Sequence, residues 1–156
     1  MRIHLIAVGR RLPAWVNIGF TEYASRLPRN WLRLGEIPLA PRSARAATAE
    51  RAREREGERM RAAIPPAART IALDPSGKSL NSSALAHHLD NWMRTGSEVA
   101  LLIGGPDGLA PACLEAAAEV WSLSALTFPH GLARIIVAEQ LYRAWSLLHH
   151  HPYHRA

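Results

Sequence analysis

The run EVALLIGGPDGL, Glu98 to Leu109, decides the fold: an almost wholly apolar segment stops abruptly in a glycine loop. A continuous apolar run of this length is what a strand buried on both faces requires, and such strands belong to parallel sheets. A second segment, WSLSALTFPHGLAR from Trp121 to Arg134, repeats the arrangement, passing from apolar chain through a Pro- and Gly-bearing loop into a helical pattern. A third, TIALDPSGK from Thr70 to Lys78, ends in the same kind of loop. In α/β proteins loops of this type lie at the carboxyl ends of strands, where ligands bind. The three are expected to converge on one crevice.

Outward from this centre the chain alternates. MRIHLIAVG, Met1 to Gly9, reads as a first buried strand, and Pro13 suits the first turn of a helix striped by Trp15, Ile18, Gly19, Tyr23 and Leu27. WLRLGEI, Trp31 to Ile37, alternates as a strand closed by Pro38. Residues 43–64 form the most charged segment, with Glu50, Glu54 and Glu58 in one helical row and Arg51, Arg55 and Arg59 in the next. The segment reads as a solvated helix supported by Glu50–Arg53, Glu56–Arg59 and Glu58–Arg61 contacts, while Arg42 and Arg45, unbalanced by acids, stand as candidates for phosphate contacts. Pro65 and Pro66 end that helix before a short strand over residues 70–74.

A helix over 81–95 follows, capped by Ser82 or Ser83, striped inward by Leu85, Leu89 and Trp92, and stopped by Gly96. His87 and His88 are adjacent, so they cannot chelate together, and they read as surface residues. After the strand at 98–103, Pro111 opens a short helix through Ala118, EVWSL at 119–123 is a last strand, and an apolar helix runs from Leu132 to about Leu148. Five strands and five helices in alternation predict one α/β domain spanning 1–156, with a mainly parallel sheet flanked by helices.

Composition narrows the function. The formal net charge of +6 favours an anionic partner, nucleic acid above all, although of the 19 lysines and arginines only Lys78 is a lysine. The single cysteine, Cys113, excludes an intramolecular disulfide and suits a reducing compartment. No apolar run reaches the roughly 18 residues of a membrane span, and the N-terminus lacks a cleavage pattern, so a cytoplasmic location without membrane contact is expected.

The fingerprint G-x-G-x-x-G and the Walker A loop are both missing, which argues against a Rossmann dehydrogenase or a P-loop NTPase. Gly104 and Gly105, having no Cβ, instead allow close backbone approach to a ligand such as a nucleoside. Ser122 and Ser124 lie in no nucleophile elbow. The histidines His149, His150, His151 and His154 gather at the C-terminus, and no metal site is expected of them. Glu139 and Arg143 stand four apart in a last helix that is apolar nearly all round. They are either a buried ion pair or a functional one, and the helix suits a subunit interface as readily as a core.

FTEY at 20–23, LLIGGPDGL followed by PAC at 101–113, WSLSALTFPH at 121–130, AEQLYRAWS at 138–146 and HPYHR at 151–155 together resemble the SPOUT-class large-subunit rRNA methyltransferase H family across essentially the whole chain. The resemblance implies transfer of a methyl group from S-adenosyl-L-methionine, without a metal, to N3 of a pseudouridine in 23S rRNA of the assembled ribosome, by a homodimer. It implies a deep trefoil knot over roughly 98–156, an exception to the rule against threaded chains, with the last helix at the dimer interface. By the same resemblance the methyl donor is held at Leu73, Gly104 and the run Leu123, Ser124, Ala125, Leu126, Thr127 and Phe128, to which the close-approach argument adds Gly105. Phe128 stands where leucine is common in the family, and Asp107 where glutamate is. The catalytic candidates are His130, Arg143, Tyr153, His154 and Arg155: the tail would close over the nucleotide, Arg155 or Arg143 holding phosphate and His154 or His130 accepting the proton. The rival expectation is a basic, non-catalytic ribosome-binding factor of the same fold.

Overall fold

Alternation along the strands sorts side chains into two cores, one on each face of a five-stranded sheet. The computed structural model describes residues 1–43 and 45–154, Ala46 by its backbone alone. Its elements are β1 (Arg2–Val8), α1 (Ala14–Ala24), β2 (Leu32–Ile37), α2 (Ala46–Ala63), β3 (Arg69–Ser79), α3 (Ser82–Thr95), β4 (Glu98–Ile103), α4 (Pro111–Ala116), β5 (Glu119–Ser122) and α5 (His130–Leu148). The strands lie in the order β2-β1-β4-β3-β5, and every pairing is parallel.

On one face Ile3, Leu5, Ile71, Val99 and Leu101 meet α1, α3 and α5. On the other, Ile6, Val8, Ala72, Ala100 and Leu102 meet α2 and α4. The central strands are buried on both sides, as the apolar run at 98–103 predicts, and each large aliphatic side chain so buried contributes about 1.5–3 kcal/mol.

Gly57, in mid-α2, is a packing device. A Cβ there would come within 2.6 Å of the Ala110 Cβ and 3.3 Å of the Cys113 sulfur, so only glycine lets α2 lie this close to the start of α4. Cys113 is fully buried beneath it, its thiol 3.6 Å from the Gly57 carbonyl.

Several local expectations are corrected. The cap of α3 is Asn81, whose Oδ1 accepts from the Ala84 amide at 2.8 Å, because the Ser82 hydroxyl is turned to Gln140 at 2.6 Å. Gly96 does end the helix, in the left-handed conformation. The strand expected at 70–74 continues to Ser79: both Leu73 and Lys78 stand opposite Trp121, so residues 74–77 are extruded as a loop and pairing then resumes. A Cβ on Gly77 would meet the Val120 carbonyl group at 2.6 Å, which is why the loop can close only on glycine. His88 is no surface residue, being half-buried with its ring 4.7 Å from that of Trp121, which is also stacked on Trp92.

The charged helix departs most from expectation. Among the described residues none of the Glu-to-Arg contacts expected within α2 forms an ion pair, and Glu56 is buried beneath the helix instead of solvated. Its carboxylate faces Arg42, in the loop before α2.

Candidate functional site

The three loops do converge. The loop extruded within β3 and the loops at the carboxyl ends of β4 and β5 border a cavity of about 520 Å³, within the ~300–1,000 Å³ typical of small-molecule sites. Leu73, Gly104, Gly105, Leu123, Ser124, Leu126, Thr127 and Phe128 line it together with His130. Ala125, in the same run, is exposed and does not line it. The wall is largely aliphatic and aromatic, and Leu126, 72% exposed, overhangs the mouth.

Each loop is shaped by its own hydrogen bonds. In the β3 loop Asp74 Oδ2 accepts from the Ser76 amide at 2.9 Å and from its hydroxyl at 2.5 Å. In the β4 loop the Gly108 amide donates to the Gly105 carbonyl at 3.0 Å, folding the segment back on itself. A Cβ on Gly104 would lie 2.4 Å from the Gly108 carbonyl carbon, so the turn excludes every other residue. In the β5 loop Ser122 donates to the Ser124 carbonyl, and the Ser124 hydroxyl accepts from the Leu126 amide, both at 3.0 Å. These serines shape the wall, as their lack of an elbow motif suggests.

His130 is the first residue of α5 and closes the cavity on one side. Burial, reinforced by Arg134, holds its pKa below the usual imidazole value of 6.5, against a smaller opposing pull from Glu56. Its ring is therefore neutral at physiological pH and can accept a proton. Arg134 itself escaped the reading of the sequence. It is fully buried, donating to the Gly9 carbonyl at 2.7 Å and the Val8 carbonyl at 3.3 Å while pairing with Glu36 at 2.7 Å. It thus ties the carboxyl end of β1 to α5 beside His130. Arg10 and Arg11 follow directly, both exposed, and Arg11 has a positive φ of 55°. An arginine amid Leu132, Ile135 and Ile136 was the available signal, since an isolated charge on an apolar helix demands a buried partner.

The remaining candidates form a second group. Arg143 binds Glu139 through Nε at 2.9 Å and Nη2 at 2.5 Å, and Tyr153 donates to the same carboxylate oxygen at 2.9 Å. The Arg143 guanidinium lies 5.2 Å from the centre of the Tyr153 ring, which packs against Tyr142 at 4.6 Å. Burial, helped by Glu139, pushes the Tyr153 phenol up to about 12. The sequence left the Glu139–Arg143 pair open between structural and functional roles; the geometry makes Glu139 the hub that docks the tail. His154 is half-buried, and its Nδ1 has no hydrogen-bond partner. Arg155 lies outside the described residues. Thirteen helical residues separate His130 from Arg143, roughly 20 Å at 1.5 Å each. Within one chain the cavity lies at the amino end of α5, and the tail group gathers around Glu139 at the middle of the helix.

Arg42 is not available for phosphate as expected: its guanidinium is bonded to Glu56 and to Asp107 of the β4 loop. Arg45 is exposed at the start of α2. Among the described residues no group of three His, Cys, Asp or Glu side chains is placed to hold a metal ion, and no helix is long and apolar enough to cross a membrane.

The chain is similar to known proteins along nearly its whole length. A family model described as "Predicted SPOUT methyltransferase" matches residues 1–154. The chain is 56% identical over 156 residues to a Thioalkalivibrio sulfidiphilus protein named Ribosomal RNA large subunit methyltransferase H, with 99% of each covered. It is 53% identical to the Methylococcus capsulatus protein of the same name, over 99% of this chain and all of that one. Among solved structures, one described as a "Probable Methyltransferase" from Bordetella pertussis Tohama I covers 92% of this chain and 93% of its own with a TM-score of 0.58; at 20% identity the likeness is one of fold.

Proposed function

This chain belongs to the SPOUT methyltransferases, in the family of ribosomal RNA large subunit methyltransferase H, and from that premise we propose that it methylates N3 of a pseudouridine in 23S rRNA of the assembled ribosome. The observation that carries the reading is the cavity bordered by the β3, β4 and β5 loops, whose apolar wall and close-approaching main chain suit a nucleoside with an amino-acid tail. The methyl donor is S-adenosyl-L-methionine, held by Leu73, Gly104, Gly105 and the 123–128 loop. When bound it supplies a methyl group already activated on a sulfonium, so no metal is needed.

What remains for the chain is to set the acceptor nitrogen in line, take its proton and exclude water. His130 is neutral and beside the cavity, which suits it to accept that proton, and His154, with an unpartnered Nδ1, is the alternative. Tyr153 stays protonated and acts as a donor. Arg155 or Arg143 holds phosphate, and the exposed Arg10 and Arg11, which follow Gly9, add positive charge near His130.

His130 stands at the start of α5 and the tail is docked around Glu139 farther along the same helix. On the same reading the working enzyme is a homodimer, and the tail of one protomer reaches the cavity of its partner. The exposed Trp15 (56%) and Ile18 (70%) on α1, the helix packed along α5, give such a dimer an apolar face. The segment 98–156 carries the trefoil knot of the class, and the enzyme works in the cytoplasm, where ribosomes are.

The test is incorporation of labelled methyl from S-adenosyl-L-methionine into ribosomes, with bare rRNA and separate subunits in parallel. Incorporation into assembled ribosomes alone is the expected result. No incorporation, together with no heat of donor binding by calorimetry, would leave the non-catalytic ribosome-binding factor as the better reading.

A further inference from the structure

The β4 loop that forms part of the cavity wall carries glycine at 104, 105 and 108, and a loop so rich in glycine loses much conformational freedom when a ligand orders it. Its tip, Asp107, points away from the cavity. There it meets Arg42, whose Nε donates to Asp107 Oδ2 at 2.6 Å. The other edge of the same guanidinium grips Glu56 in a fork, Nη1 to Oε2 at 2.6 Å and Nη2 to Oε1 at 2.8 Å. Glu56 is 2% exposed and also accepts from the Ala40 amide at 3.0 Å, while Arg42 Nη1 returns a bond to the Ala40 carbonyl at 3.0 Å. Arg53 of α2 adds a long contact, 3.4 Å, to the Asp107 carbonyl.

We propose that Arg42 is a positioning residue for the methyl-donor site, a clamp that fixes the Gly104–Gly108 loop in its binding conformation by bridging the buried Glu56 to Asp107. The inference rests on the reading of the cavity as the donor pocket. Arg42 and Asp107 do not line that cavity; they act through the loop backbone. An exposed ion pair would be too weak for this role, but here one carboxylate is buried and the guanidinium is fixed on two edges, so its third donor is aimed without further ordering. Lysine could not replace it, having no fork. The arrangement lowers the ordering cost of binding in advance, the usual advantage of a preorganised site.

The test uses the full-length protein and S-adenosylhomocysteine as calorimetric probe. Asp107→Ala and Asp107→Asn leave Glu56 paired and should fold normally. They are expected to raise the dissociation constant about tenfold, the ordering cost of roughly one residue, to hasten amide hydrogen exchange over 104–108 in the ligand-free protein, and to lose methylation in a way that saturating donor recovers. Asp107→Glu, which keeps the carboxylate, should restore most of the affinity. Arg42→Lys should behave like Asp107→Asn, with its thermal midpoint measured to separate folding from binding. Asp107→Ala binding the probe as tightly as the wild type, with unchanged exchange over the loop, would overturn the clamp. A wild-type protein that does not bind the probe at all would instead overturn the donor-pocket reading.

Discussion

Arg134 and Arg26 show how differently two arginines weigh in one chain. Arg26 pairs with Glu22 one helical turn away, both exposed, and lies over the rings of Tyr23, Tyr142 and Tyr153 without leaving solvent. Arg134 has no exposure and satisfies two backbone carbonyls at the end of β1. Arg134→Ala is therefore expected to cost about 3–5 kcal/mol in urea unfolding, while Arg26→Ala shifts the transition far less. At His130 the sign is set by burial. Its folded pKa lies below the unfolded 6.5, so the unfolded chain binds the extra proton first; the stability present above 6.5 is lost as pH falls from there toward the folded pKa. An NMR titration of the His130 ring should give a midpoint under 6.5, and one above 7 would remove it as a buried neutral base. Neither residue was equally legible. His130 stands at the end of a motif, whereas the burial of Arg134 depends on Glu36 and Gly9, which are brought to it only by the folded sheet.

At the scale of elements, loops after apolar strands were readable because period and punctuation are local properties. The extruded 74–77 loop was not, since nothing local says that pairing resumes at Lys78 opposite the residue already used by Leu73. The buried underside of α2 was hidden for a related reason. Its rows of Glu and Arg look like a solvated helix, and Glu56 is singled out only by Arg42, fourteen residues earlier in a loop. The Gly104 turn permits a sharper prediction: Gly104→Ala places a methyl 2.4 Å from backbone that cannot yield, so the loop must move. Donor affinity should fall by well over tenfold while the far-UV circular dichroism is unchanged, because the clash is confined to a loop between intact elements.

For the whole molecule, the alternation of strands and helices was enough to predict a parallel α/β sheet, and all five strands are parallel. What the sequence could not show was that its catalytic candidates fall in two groups, His130 at the start of α5 and Arg143 with Tyr153 around Glu139 at its middle. The proposed dimer makes this testable by complementation. Gly104→Ala protomers and protomers ending at Pro152 should each be inactive alone, yet a mixed population should regain up to about one quarter of wild-type activity per site if subunits exchange at random and each site draws its cavity and tail from different protomers. No recovery, with mixed dimers verified by native mass spectrometry, would place both halves of each site in one chain.

The lone thiol gives the molecule a built-in clock. Cys113 is sealed under Gly57, and burial raises its pKa, so a thiol reagent can reach it only when α2 lifts from α4. α2 also carries Glu56, the anchor of the Arg42 bridge, so the labelling rate under native conditions times the breathing of the surface against which the β4 loop is braced. Slower labelling with S-adenosylhomocysteine present would mean that a ligand at the strand-end loops quiets the helix that braces one of them.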